Sequence, residues 1–217
     1  MIHTLEVDSI QLQFEGRRIL SDIHLKCETG TITGILGRNG EGKSSLLKII
    51  YGTLQTEKSI RINNVAYPNA YYNKELLQYL PQFNFIPKQI SLNRVFEDFE
   101  LDFLFFKKMF PEFSKRSVSS INSFSVGEQR LVELYIIVKS RSLFAMLDEP
   151  FTHLNPLQIE KVKKLLIVEK ENKGFLITDH LFKQVLSISD KLYVLKSGKT
   201  HLITNPEEIE TLGYAKL

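Results

Sequence analysis

A single cysteine, Cys27, is all the thiol chemistry in this sequence. It excludes an internal disulfide, and alone it cannot make a zinc site. Long apolar runs are missing too. Phe103-Leu104-Phe105-Phe106 and Leu134 to Val138 are among the longest, far short of the roughly 18 residues that cross a bilayer. The first residues, Met1-Ile2-His3-Thr4-Leu5-Glu6, lack the basic-then-apolar layout of a secretory signal. No internal repeat, low-complexity segment or heptad run is present. Nor is one sign of charge dominant: 28 basic and 25 acidic residues leave +3, too mild a balance to imply a nucleic-acid partner. What is there is a chain of 217 residues with 43% apolar and 24% charged side chains. That is long enough for one large domain and apolar enough to bury a core. These features point to a soluble, cytoplasmic, single-domain protein and say nothing about chemistry.

Patterning supplies an α/β order. Ile23, Leu25 and Cys27 alternate with His24 and Lys26, the period-two signature of a half-buried strand. This places Cys27 on the apolar side as a small buried hydrophobe. Thr31 to Leu36 is β-branched and apolar, and a glycine-punctuated loop follows. Ser44 to Tyr51 carries helical apolar spacing and stops at Gly52, a natural left-handed cap. Strand, glycine loop and helix form the opening unit of a parallel sheet. From about 84 to 140 the chain is rich in Phe and Leu, without strand alternation, and reads as a mostly helical insertion. Ser142 to Leu147 is then an apolar run suited to a strand buried on both faces. A helix over 156–169, a strand over 175–178 and a hairpin around Lys196 to Thr200 complete the order.

The loop Gly37-Arg38-Asn39-Gly40-Glu41-Gly42-Lys43-Ser44 matches G-x-x-x-x-G-K-[ST] in full. Glycines at 37, 40 and 42 let the backbone bend until consecutive N–H groups converge on phosphate oxygens. The helix starting near Lys43 adds its positive dipole end. Lys43 can reach β- and γ-phosphates, and the Ser44 hydroxyl can ligate Mg²⁺. A glycine-rich turn that binds nothing lacks the strand before and helix after, and both are present here. Met146-Leu147-Asp148-Glu149 ends a buried strand, and strand carboxyl ends are where ligands sit in open α/β sheets. Asp148 would support the Mg²⁺ shell and Glu149 could accept a proton from attacking water. An acidic pair there can equally cap the next helix.

Ser125-Val126-Gly127-Glu128 is a capping-box pattern that any helix could use. Taken with the phosphate loop and the Asp148-Glu149 pair, Phe124-Ser125-Val126-Gly127-Glu128 also resembles the signature sequence of ABC-type ATPases, normally L-S-G-G-Q. Val126 stands for the usual glycine and Glu128 for the usual glutamine. Gln82 in Tyr79-Leu80-Pro81-Gln82 resembles the Q-loop glutamine, and His180 after Thr178-Asp179 resembles the switch histidine. Thr152-His153-Leu154-Asn155 occupies the D-loop position, usually S-A-L-D, and Phe14 matches the aromatic that stacks on adenine. The resemblance covers nearly the whole chain.

It implies an α/β P-loop NTPase fold with a mainly parallel central sheet, an N-terminal antiparallel β region and a helical subdomain inserted at about 84–140. It implies ATP and Mg²⁺ as ligands. ATP would be held by Phe14, by Gly37, Arg38, Asn39, Gly40, Glu41, Gly42, Lys43, Ser44 and Ser45, and by Gln82. Ser44, Gln82 and, through water, Asp148 would serve the metal. Glu149 and His180 would be catalytic. Ser125, Val126, Gly127 and Glu128 would contact the ATP of a second copy, so that two subunits close head-to-tail. A transporter role would also require a separate membrane permease, placing the protein at the inner face of the cell membrane with no direct nucleic-acid contact. The other reading is a soluble ABC ATPase acting on ribosomes or DNA. Such relatives usually carry two modules or a long coiled coil, whereas Ser125 lies 82 positions after Lys43 with no heptads between them. A GTPase is disfavoured because Asn172-Lys173-Gly174-Phe175 fails Asn-Lys-x-Asp at its last position. Part of the stretch Leu101 to Phe110 is expected in the helical core, and part could line the groove for the permease.

Overall fold

The structure, a computed structural model, describes residues 1–214. Four strands open the chain: β1 (Thr4–Asp8), β2 (Leu12–Phe14), β3 (Arg17–Leu20) and β4 (His24–Glu28). Next come β5 (Ile32–Leu36), α1 (Lys43–Tyr51), β6 (Ser59–Ile62), β7 (Val65–Ala66) and β8 (Leu77–Leu80). Helices α2 (Leu92–Asp98), α3 (Phe103–Met109) and α4 (Val126–Lys139) fill the middle. The chain ends with β9 (Phe144–Asp148), α5 (Pro156–Glu169), β10 (Gly174–Thr178), α6 (Phe182–Leu186), β11 (Lys191–Lys196), β12 (Lys199–Ile203) and α7 (Glu207–Thr211).

Two sheets and one hairpin result. The larger sheet runs β12-β11-β5-β10-β9-β8, parallel except for the β11–β12 hairpin, and the smaller antiparallel sheet runs β4-β1-β6-β7. Strands β5, β9 and β10 are buried at every position, because helices or the second sheet cover both faces of a parallel sheet. Alternation in β4 is as read from the sequence, and Cys27 is fully buried beneath it. Burial pushes its thiol up to about 12, so it behaves as a hydrophobe. Gly52 ends α1 in the left-handed conformation, φ 105°. Among the described residues no helix is long and apolar enough to cross a membrane.

Register decides which loops meet. Leu80 pairs with Leu147, Asp148 with Thr178, and Thr178 with Ile35. The segments that begin at Gly37, Pro81, Glu149 and Asp179 therefore leave the same edge of the sheet side by side. The helical region has its own aromatic interior. Phe106 is fully buried, with ring centroids 5.0 Å from Phe96, 4.8 Å from Phe113 and 4.9 Å from Tyr135. The Leu101–Phe110 stretch divides accordingly: Phe106 and Phe110 are core, while Leu104 and Phe105 on α3 are exposed. Phe106→Ala would leave a cavity that several other rings line, so a loss of about 3–5 kcal/mol is expected, measured by denaturant unfolding of the full chain.

Candidate functional site

The phosphate loop is shaped by its neighbours. Gly42, the residue before α1, has φ 98°, and a Cβ there would lie 2.9 Å from Ile19 Cγ2 on β3. Only glycine meets both demands. The Lys43 ammonium turns back to donate to the carbonyls of Gly37 at 2.6 Å and Arg38 at 3.1 Å. Burial lowers its pKa, against the pull of Glu149 and Asp148. A cleft of 630 Å³ opens over this loop. It is lined by Phe14, Ile19, Asn39, Gly40, Gly42, Lys43, Ser44, Ser45, Gln82, Glu149 and His180.

The cleft therefore brings together most of the residues singled out in the sequence. Phe14 stands at its rim, 51% exposed, beside a hairpin turn in which Glu15 and Gly16 both have positive φ. That geometry suits a two-residue connection between twisted strands. Arg38 and Glu41 direct their side chains elsewhere. Arg38 donates to the Gly213 carbonyl at 2.7 Å, and Glu41 accepts from the Ser197 N–H at 2.8 Å. These contacts tie the loop to the β11–β12 turn and to the residues after α7.

At the end of β9, Asp148 accepts from the Ser44 hydroxyl at 3.1 Å and from the Tyr79 phenol at 3.0 Å. Burial raises the Asp148 carboxyl, and both hydrogen bonds draw it back down; burial likewise raises the Tyr79 phenol. Glu149 follows with φ 52°, a left-handed backbone that costs a non-glycine residue roughly 1 kcal/mol or more. Its N–H donates to the Thr178 carbonyl at 2.7 Å, which helps hold that conformation. The Glu149 carboxylate accepts from Gln82 Nε2 at 3.0 Å and Thr152 Oγ1 at 3.4 Å. His180 Nδ1 lies 3.7 Å from the same Glu149 oxygen and 3.4 Å from Asp179. Asp179 is fully buried and accepts N–H bonds from Phe151 at 2.9 Å and Leu181 at 2.8 Å, joining the loop after Glu149 to the loop that carries His180.

Ser125, Val126, Gly127 and Glu128 do not line this cleft. They form the start of α4, where Ser125 is the N-cap of a complete capping box with Glu128. A Cβ on Gly127 would meet the His153 carbonyl at 2.4 Å, so the helix start is seated on the loop before α5. Asn155 has a local role there as N-cap of α5, paired reciprocally with Gln158.

Sequence reading passed over Ile19, Tyr79, Thr152, Asp179, Arg130 and Glu133. Arg130 on α4 is 2% exposed and donates to the carbonyls of Pro81 at 2.6 Å, Asp148 at 2.5 Å and Glu149 at 3.0 Å. Its partner Glu133, 4.0 Å away, accepts from the N–H groups of Phe85 at 2.7 Å and Ile86 at 3.1 Å. Asp179, as the immediate neighbour of His180, and Thr152, within the D-loop position and three residues after Glu149, had a signal available. Tyr79, and Arg130 in its reach to the carbonyls of Pro81, Asp148 and Glu149, depend on partners far along the chain.

For a metal, the available donors are hard oxygens: the Ser44 hydroxyl, the Asp148 carboxylate and the Gln82 amide oxygen. No group of three or more His, Cys, Asp or Glu able to hold a metal occurs among the described residues. That set fits Mg²⁺ bound together with nucleotide, since Mg²⁺ keeps several waters and uses one or two carboxylates plus substrate phosphates.

A phosphate loop between a buried strand and a helix, at the carboxyl edge of a mainly parallel sheet, defines a P-loop nucleotide-binding domain. Residues 20–152 match the family model described as ABC transporter, and the chain belongs to that family. A probable ABC transporter ATP-binding protein of Azorhizobium caulinodans is 30% identical over 215 residues, covering 90% of this chain and 75% of that protein. The lipopolysaccharide export system ATP-binding protein LptB of Haemophilus influenzae is 23% identical, covering 94% and 92% respectively. Among solved structures, an ATP-binding subunit of an ABC transporter superposes with a TM-score of 0.81 at 21% identity, over 97% of this chain and 93% of that one. A bacterial Atm1-family ABC exporter with ATP bound gives 0.85 at 13% identity, over 97% and 40%.

Replacing Arg130 with Met would leave Glu133 buried without a counter-charge and remove donors from three carbonyls. Losing one partner of a buried pair typically costs about 3–5 kcal/mol. Arg130→Met is therefore expected to lower stability by that amount in chemical denaturation, and a loss below 1 kcal/mol would contradict this account.

Proposed function

We propose that this chain is the ATP-binding and ATP-hydrolysing subunit of a membrane ABC transporter. The observation that carries the reading is the Glu149 carboxylate at the wall of the phosphate-loop cleft, held by Gln82 and Thr152 and faced by His180. Adenine would rest on Phe14 and the phosphates in the curl of N–H groups from Gly37 to Ser45, against the Lys43 ammonium. Lys43 gives up its contacts with the Gly37 and Arg38 carbonyls to reach them. Glu149 accepts a proton from the attacking water, and His180 steadies the γ-phosphate. Mg²⁺, held by Ser44, Gln82 and Asp148 through water, would neutralise phosphate charge.

The residues Ser125 to Glu128 supply the second half of the site in a head-to-tail homodimer or pseudo-dimer. Their position outside their own cleft, with Val126 exposed, supports a contact made with another copy. The capping box takes the Glu128 N–H. The N–H groups of Val126 and Gly127 lie in the first turn, where no earlier helical carbonyl receives them. Closing two copies around two ATP molecules and reopening after hydrolysis would drive a separate permease. Leu104 and Phe105, exposed on α3, support a hydrophobic partner there. The protein would then work in the cytoplasm against the inner face of the membrane.

Removing a general base typically costs about 10²–10⁴ in rate. Glu149→Gln is expected to retain ATP binding and lose hydrolysis by that factor in a phosphate-release assay. Near-normal turnover would refute the role given to Glu149. Lys43→Ala is expected to lose nucleotide binding itself, measured by equilibrium titration with Mg-ATP. Co-purification with a polytopic membrane protein supports the transport assignment; co-sedimentation with ribosomes or DNA and no membrane association would overturn it.

A further inference from the structure

The acid at position 128 is a chemical problem for the site just proposed. Glu128 lies in the first turn of α4, next to the N–H groups offered to a nucleotide's phosphates. An unpaired carboxylate there would repel the phosphate anion that the helix end attracts. The fold answers with Arg116, which comes from the segment between α3 and α4. Arg116 Nη1 is 2.5 Å from Glu128 Oε1, and both side chains are largely shielded, 29% and 22% exposed. Nη2 donates to the Ser123 carbonyl at 2.9 Å, and the guanidinium lies 4.0 Å from the centroid of the Phe124 ring. With one oxygen on Arg116, the other oxygen of Glu128 accepts the Ser125 N–H at 2.7 Å. One cation thus touches Ser123, Phe124 and Glu128, the residues that flank Ser125, Val126 and Gly127.

We propose that Arg116 is a positioning residue of the nucleotide site: it neutralises Glu128 and locks the Ser125–Glu128 turn in the form that receives phosphate from the opposite copy. The inference rests on the head-to-tail reading above. Arg116 need not touch nucleotide. It acts through Glu128, so its importance depends on the acid being present. A neutral glutamine at 128 keeps the carbonyl oxygen that can accept the Ser125 N–H and removes the charge that needs an arginine.

That dependence gives the test. In a Glu149→Gln parent, which retains ATP, dimer formation on adding Mg-ATP is followed by sedimentation velocity. Nucleotide binding by the monomer is titrated in parallel. Arg116→Ala is expected to weaken ATP-driven dimerisation by about tenfold or more, the scale of setting a like charge against the phosphate across an interface. Monomer binding of ATP should stay close to the parent's, and the melting temperature should fall by only a few degrees, about what the loss of one partly shielded ion pair removes. Arg116→Ala combined with Glu128→Gln is expected to dimerise at least about fivefold more tightly than Arg116→Ala alone, recovering most of a tenfold loss. Failure of that rescue, or unaltered dimerisation in Arg116→Ala alone, would overturn the inference and leave the head-to-tail reading standing. A parent that binds ATP and stays monomeric would overturn both.

Discussion

One buried cation organises the site. Arg130 is anchored on α4, the helix that begins at the Ser125 capping box, and its guanidinium reaches the carbonyls of Pro81, Asp148 and Glu149. A guanidinium is suited to this because it stays charged and presents several donors in a fixed plane. Burial opposes its charge, and Glu133 and the nearby carboxylates oppose that loss. Glu133 in turn holds the backbone of Phe85 and Ile86. The helix start, the segment carrying Gln82 and the strand end carrying Glu149 are therefore joined through side chains of a single helix. A displacement of α4 would be felt at both Gln82 and Glu149.

Around that anchor, the sheet does the placing. Parallel pairing puts the ends of β5, β8, β9 and β10 at one edge, and each end hands over a different chemical group. The phosphate loop follows β5, Gln82 follows β8, Asp148 and Glu149 close β9, and His180 follows β10. The left-handed backbone at Glu149 shows where this convergence is tight. The bond from its N–H to Thr178 on the neighbouring strand end holds an unfavourable conformation, and the carboxylate faces Gln82 and His180 as a result. Ser44 and Tyr79 meet on Asp148 in the same way, from a helix and from another strand.

Much of this was legible in the chain. The phosphate loop could be read because its chemistry is local: glycines, lysine and serine within eight positions, bounded by a strand and a helix. The capping box at Ser125 and Glu128 was legible for the same reason, as was the burial of Cys27 within an alternating strand. Leu101 to Phe110 was harder, because a run of aromatics carries no phase that tells core from surface. Packing against Phe96, Phe113 and Tyr135 buries Phe106 and leaves Phe105 outside. The side chains of Arg38 and Glu41 fell within the motif yet leave the cleft for Gly213 and Ser197. Those partners lie more than 150 positions away and leave no mark near the loop.

The sequence by itself determined the order of the main elements, the glycine-rich loop motif and the ionisable residues that meet beside it, because propensity, periodicity and motif spacing act over short stretches of chain. Only the tertiary structure decided how those residues are supported: Tyr79 on Asp148, Thr152 and Gln82 on Glu149, Arg130 across three loops, and Arg116 against the acid at 128. Most of these depend on how separate segments are brought together, through strand register for Tyr79 and Gln82 and through the seating of α4 for Arg130 and Arg116. The same holds for the opening absence. One cysteine excluded an internal disulfide from the start, and its place between two sheets, with the thiol donating to the Phe175 carbonyl at 3.4 Å, is what makes it a buried hydrophobe.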